Sequence, residues 1–212
     1  MTAVIKEINY RIEFFSFWHC GSGLAAGADL DERVIRDHDN LPFVPGRTVK
    51  GVLRDAAETL HSISEYSRHE YQLNGAVPNA AYNPHCIDPK VIFGAGGDDK
   101  GHGQVGEASF SDACLKERGA ILAEDPNLRK FLYFSIASTA IGDDGIAKDH
   151  SLRKIEVVVP CTLCGSIFIS DSSNSFEEKL EYFRACMSMV KRMGTGRSRG
   201  LGRCKIQIWE EA

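Results

Sequence analysis

The sequence predicts an α+β fold: two helices and four strands alternating as strand, helix, strand, strand, helix, strand around one core. Three observations carry this. Residues 4–18 alternate, with Ile8, Tyr10, Ile12, Phe14 and Trp18 on one face and Asn9, Arg11 and Glu13 on the other, the period of a half-buried strand. Val49, Val52, Leu53, Ala56, Ala57, Leu60 and Ile63 recur at three- and four-residue spacing, the apolar stripe of a helix. A second helix, SFEEKLEYFRACMSMVKRM, runs toward a last alternating segment in which Cys204, Ile206 and Ile208 interleave with Lys205, Gln207 and Trp209.

The remaining elements follow in chain order. Residues 19–46 are rich in Gly, Asp and Pro and read as loop, with at most a short strand around Val34 and Ile35. Pro45 and Gly46 mark the turn into the first helix. Residues 64–104 show no periodicity and read as an insertion over a functional face or as partly disordered chain. GEASFSDACL, residues 106–115, is a short strand, and residues 131–140 are a strand or a turn of helix. A polar excursion at 142–154 leads into IEVVVPCTLCGSIFIS, two strand segments split at Pro160. In the second helix Ser175 and Glu178 form a capping box, Leu180, Phe183, Met187 and Val190 mark the buried face, and Gly194 is expected to end it. This order is that of the ferredoxin-like, RRM-like fold.

The 212 residues suffice for one filled core, and 43% hydrophobic with 25% charged residues is an ordinary globular balance. The net charge of -4 means that any nucleic-acid binding must rest on a local basic patch. No apolar run reaches membrane-span length and no long apolar leader opens the chain, so a cytoplasmic protein without membrane association is expected. Seven cysteines, an odd and scattered set, read as reduced thiols. Cys161 and Cys164 form a C-x-x-C inside a strand with no second pair, which favours packing over metal or redox chemistry.

The local basic patch is KRMGTGRSRGLGRCKI, residues 191–206. Gly194, Gly196, Gly200 and Gly202 free the backbone to approach a ligand, and Arg192, Arg197, Arg199 and Arg203 supply guanidinium forks suited to phosphate. It is no Walker loop, since a Lys-Ser/Thr pair is missing and a strand follows. A solvated basic turn is the alternative reading.

GTGRSRGLGR resembles the C-terminal glycine-rich loop of the RAMP superfamily of CRISPR-associated proteins. LPFVPGRTVKGVLRDAAE, residues 41–58, resembles that superfamily's Pro-Gly helix start, and LDERVIRD, residues 30–37, the segment before it in the repeated backbone subunit of type III (Csm/Cmr-type) effector complexes. DHSLRKIEVVVPCTLCGSIFI resembles that subunit's thumb hairpin and the strands after it. The resemblance implies a single domain over 1–212: a ferredoxin-like palm, a lid insertion at about 64–104 and a thumb insertion at about 138–158. It further implies a filament of copies of the chain along a crRNA, joined by other CRISPR effector subunits and binding complementary target RNA.

By position, the resemblance puts guide RNA against Arg47 and Thr48 at the first helix's start, Lys50 and Arg54 on that helix, and Gly194, Gly196, Arg197, Ser198, Arg199 and Gly200. A helix N-terminus suits phosphate independently, although Lys50 and Arg54 also read as ordinary solvent-facing residues. His19 is implied as a guide contact or a packing residue, roles that a histidine at a strand end favours over the alternative of a general acid. The resemblance assigns target cleavage to Asp31, with Mg²⁺ or another divalent metal. RNA brings its own nucleophile, the 2′-OH, and a carboxylate can deprotonate it or hold the metal. Asp29, Asp37 and Asp39 lie close by in sequence, and loop aspartates commonly serve turns. His69, His85, Cys86 and His102 are zinc-type residues in the lid, but their irregular spacing and single thiol favour a polar lid over structural zinc. The alternatives are a crRNA-binding scaffold that does not cut, and the stand-alone RAMP endonuclease that matures guide RNA, for which the chain is short.

Overall fold

The computed structural model describes residues 5–21, 31–73, 87–96, 103–116, 119–143, 145–170 and 175–209, with side chains in the first helix described up to residue 66. Its elements are β1 (Ile5–Phe14), α1 (Gly46–Leu73), α2 (Pro89–Phe93), β2 (Ala108–Phe110), α3 (Gly119–Glu124), α4 (Pro126–Arg129), β3 (Tyr133–Ser138), β4 (Arg153–Val158), β5 (Thr162–Ser170), α5 (Phe176–Met189) and β6 (Cys204–Ile208).

The alternation in β1 buries Ile8, Tyr10, Ile12 and Phe14 on one face. That face packs with the stripe of α1, Val49, Leu53, Ala56 and Ala57, and with Tyr182, Phe183, Cys186 and Met187 of α5. The main sheet has the order β2-β5-β1-β6, with every pairing antiparallel. Counting only its four strands, this is the 2-3-1-4 order of the ferredoxin-like fold, so the predicted fold class holds. Gly165 on β5 faces Tyr10, and a Cβ there would lie 2.6 Å from the Tyr10 hydroxyl oxygen. The missing side chain makes room for the ring.

The other two strands, β3 and β4, form a separate antiparallel hairpin inserted between β2 and β5. It begins at Tyr133, earlier than the expected thumb boundary. The two sheets are joined by the chain leaving β1. Phe14 and Trp18 stack at 4.5 Å, and Trp18 exchanges both backbone hydrogen bonds with Val158 of β4. This crossing delivers the next residue, His19, to the hairpin.

Local expectations needed adjustment at three places. The first helix runs on through residues 64–73, expected to belong to the insertion, and Ile63 is exposed rather than part of the buried stripe. Residues 64–73 are mostly polar in sequence, so the apolar period fades, but residues 52–73 contain no Gly or Pro to stop the helix. His61 and Glu65 also pair at 3.4 Å in the i, i+4 relation. The capping box of α5 forms as expected, whereas the helix ends at Met189, before Gly194. The backbone after Val190 turns instead into a short pairing of Arg192 with Arg203.

Candidate nucleic-acid interface

His19 is fully buried, and three other chain segments meet around it. Its backbone oxygen accepts the Thr195 N–H at 2.9 Å, which anchors the glycine-rich loop. Its Nδ1 lies 2.6 Å from the Glu156 carbonyl oxygen, so Nδ1 carries the proton and donates to β4. Its Nε2 lies 3.4 Å from Glu32 Oε2. The next residue, Cys20, has its thiol pushed up by burial and partly opposed by a hydrogen bond from Thr48 and the charge of Arg47. The start of α1 and the glycine-rich loop therefore abut the same dipeptide, His19–Cys20.

The loop itself is a short antiparallel ribbon with a one-turn tip. Met193 N–H donates to Gly202 O at 2.9 Å and Gly202 N–H to Phe17 O at 2.8 Å. Gly196 and Gly200 adopt left-handed conformations on either side of a 3₁₀ turn formed by Arg197–Arg199. Arg197, Ser198 and Arg199 are all exposed on that turn. Arg192 reaches across to donate to the Arg197 carbonyl at 2.7 Å, so its role is to brace the tip.

At the start of α1, Asp112 Oδ1 accepts the Gly46 N–H at 2.7 Å, satisfying one of the unpaired donors of the helix end. Arg47 is exposed there, and Thr48 and Lys50 are half-buried. Arg54 is engaged along its own helix, its Nε 2.8 Å from Glu58 Oε1. Of the residues expected to face guide RNA, Arg47 and the 197–199 turn are exposed, Thr48 and Lys50 are half-buried, Arg54 is partnered along its own helix, and the His19 side chain is buried, in the packing rather than the contact position.

Asp31 is exposed and opens a short extended segment laid parallel to β4. Asp31 N–H donates to Lys154 O at 2.9 Å, Lys154 N–H donates to Asp31 Oδ2 at 2.7 Å, and Glu156 N–H donates to Glu32 O at 3.0 Å. The Glu156 carboxylate holds the same segment further along: Oε2 accepts the Val34 N–H at 3.1 Å and Oε1 meets Arg36 Nη2 at 2.6 Å. Arg36 in turn lies over the Tyr133 ring, 3.8 Å from its centre. Sequence reasoning missed Glu32, Arg36 and Glu156. The signal for Glu156 was an acid inside the apolar run IEVVV, where a charge stays only if it is paired.

The one group of three or more side chains among the described residues that could share an ion is Asp37, His38 and Asp39. Asp37 Oδ1 already accepts the N–H groups of Asp39 and Leu41, so this is a turn holding itself together. Asp31 does not belong to that group. Its Oδ1 is the carboxylate oxygen not bonded to Lys154, one hard oxygen donor of the type that Mg²⁺ takes. Among the proposed zinc-type residues, His85, Cys86, His102 and the His69 side chain lie outside the described residues. Cys161 of the C-x-x-C is pushed up to about 11 by burial, the opposite of a metal-binding thiolate.

The glycine-rich ribbon, the Pro-Gly helix start and β4 meet at the dipeptide His19–Cys20, and a family model matches residues 11–205 around them. The chain belongs to the RAMP superfamily. A chain of the type III-B Cmr-beta complex, solved by cryo-electron microscopy in the apo state, matches this RAMP protein with a TM-score of 0.61. The match covers 97% of this chain and 98% of that one at 13% identity, a likeness of fold. No curated protein matches the sequence. Among the described residues, no helix of this RAMP protein is long and apolar enough to cross a membrane.

Proposed function

We propose that this RAMP protein is a crRNA-binding backbone subunit of a type III CRISPR effector complex, and that it cleaves complementary target RNA with the help of a divalent metal. The observation that carries the reading is the meeting of the α1 start and the glycine-rich loop at His19–Cys20. It places the exposed Arg47 and the exposed Arg197–Arg199 turn on neighbouring segments, a surface for an RNA backbone on a chain of net charge -4. Copies of the chain stacked along one guide, with other effector subunits, extend that surface, and base pairing rather than protein contact selects the target.

Cleavage is assigned to Asp31. A target strand bent at the hairpin presents a 2′-oxygen in line with the adjacent phosphorus. The 2′-O–P bond forms as the P–O5′ bond breaks, leaving a 2′,3′-cyclic phosphate and a 5′-hydroxyl. Asp31 takes the 2′-OH proton and water gives one to the departing 5′-oxygen; alternatively Asp31 would hold a divalent metal, which would supply charge stabilisation at the phosphorus while water takes the 2′-OH proton. A second reading, a scaffold that does not cut, is favoured by the bond that already occupies Asp31 Oδ2 and by the absence of Asp31 from the described ion-sharing group.

The test assembles the complex on a guide RNA, adds labelled complementary RNA with Mg²⁺, and compares wild type with Asp31→Ala and Asp31→Asn. The Asn variant is the cleaner probe, because its amide oxygen can still accept the Lys154 N–H while the charge is gone. Cutting at regular intervals by wild type, lost in both variants with target binding kept, supports the reading. Equal cutting by all three removes Asp31 from the chemistry. Binding without cutting by wild type makes the chain a scaffold.

A further inference from the structure

Glu156 stands on β4 with 7% of its surface exposed. A buried carboxylate is costly unless its oxygens are satisfied, and here both are, by the same neighbouring segment: Val34 N–H on Oε2 and Arg36 on Oε1. The backbone of Glu156 adds two more ties. Its N–H holds Glu32 O and its carbonyl accepts the His19 ring. Every one of these bonds fixes either the segment that begins at Asp31 or the histidine that carries the glycine-rich loop.

We propose that Glu156 is the positioning residue for Asp31. Asp31 is tied to the hairpin by its two bonds with Lys154, at the exposed end of the segment. The register of that segment on β4 is set further along, where Glu156 grips Val34 and Arg36 and the Tyr133 ring backs the guanidinium. A carboxylate that must meet a 2′-OH at hydrogen-bond distance depends on such a register, since a shift of about 1 Å costs on the order of 100-fold in rate. Through His19 the same residue links the cleaving segment to the loop assigned to the guide. The inference rests on the cleavage reading above.

The test uses the assembled complex carrying Glu156→Gln, Arg36→Lys and the double variant. Gln keeps an acceptor for Val34 but turns an amide toward Arg36. Lys keeps the charge but loses the fork and the flat stack. The expected result is target binding within about twofold of wild type and single-turnover cleavage slowed about 10- to 100-fold. The double variant is expected to be no slower than the worse single one, the sign of one shared interaction. Hydrogen exchange at the amides of Asp31, Val34, Lys154 and Glu156 is measured alongside and is expected to quicken in each variant. Quickened exchange with unchanged cleavage overturns the proposal and leaves the cleavage reading standing. Unchanged exchange overturns it too, by showing that Glu156 does not hold the segment. A wild-type complex that never cuts sinks the cleavage reading, and this inference with it, whatever the exchange shows.

Discussion

Gly194 rests directly against the backbone of His19. Its φ is +90°, and a Cβ at this position would overlap the His19 carbonyl oxygen, the acceptor of the Thr195 N–H. Gly200 has a similar φ of +89° but nothing within 4 Å of where its Cβ would sit. Gly194→Ala is therefore expected to cost more than about 2 kcal/mol and to loosen the loop. Gly200→Ala should cost only the left-handed penalty, about 1 kcal/mol. Urea unfolding of both variants checks the order, and equal losses would show that the contact with His19 is not what makes residue 194 a glycine.

That pair also shows where sequence reasoning reached its limit. The glycines of the loop read as freedom to approach a ligand, yet Gly194 and Gly202 are needed for close approach to the chain's own backbone at His19 and Met193. The strands and helices of the palm were legible because their signal is local: the alternation of Ile8 to Phe14 and the stripe from Val49 to Ala57 are visible within a few residues. The docking of Glu32 and Val34 on β4 joins segments far apart in the chain through single hydrogen bonds, which leave no periodic trace. Family resemblance drew attention to those segments, but it did not show that Glu156 joins them or that Arg54 is occupied by Glu58.

The occupied state of Arg54 separates it from the loop arginines. Arg197 and Arg199 are exposed on the 3₁₀ turn, whereas Arg54 Nε sits 2.8 Å from Glu58 Oε1. Arg197→Ala with Arg199→Ala is expected to weaken guide-RNA binding and to lower the slope of log affinity against log salt by about 0.7 for each phosphate no longer neutralised. Arg54→Ala should do less than either loop change. Glu58→Gln should strengthen binding by releasing the Arg54 fork. Filter binding across a salt series reads every one of these variants, and a slope unchanged by the loop changes would remove the turn from the RNA path.

The cysteines offer a check on the packing reading of the C-x-x-C. Burial pushes Cys161 and Cys204 up to about 11 and Cys186 up to about 12. A raised pKa keeps the thiol protonated at neutral pH, and only the thiolate is nucleophilic. In the native protein, alkylation of Cys161 by iodoacetamide should be slow at pH 7 and rise about tenfold per pH unit up to about pH 10, with no protection from added zinc. Fast labelling at neutral pH, or zinc protection, would return metal or redox chemistry to this pair.

Lys179 carries a larger stability effect than its place in a charged helix suggests. It lies in the first turn of α5 and is fully buried. Its Nζ is 2.8 Å from Glu107 Oε2 and donates to Ser170 O at 2.9 Å, so one cation ties the helix start to the chain before β2 and to the end of β5. Removing one partner of a buried pair strands the other, at a cost of about 3–5 kcal/mol. Lys179→Ala should approach that range, and Lys179→Met little less, since filling the space does not neutralise Glu107. Adding Glu107→Gln to Lys179→Met removes the stranded charge and should recover more than about 1 kcal/mol, a non-additivity that marks true coupling. Denaturant unfolding of the three variants measures it. Losses below about 1 kcal/mol in both single variants would mean that water or another cation replaces Lys179, and that the pair does not hold α5 to the sheet.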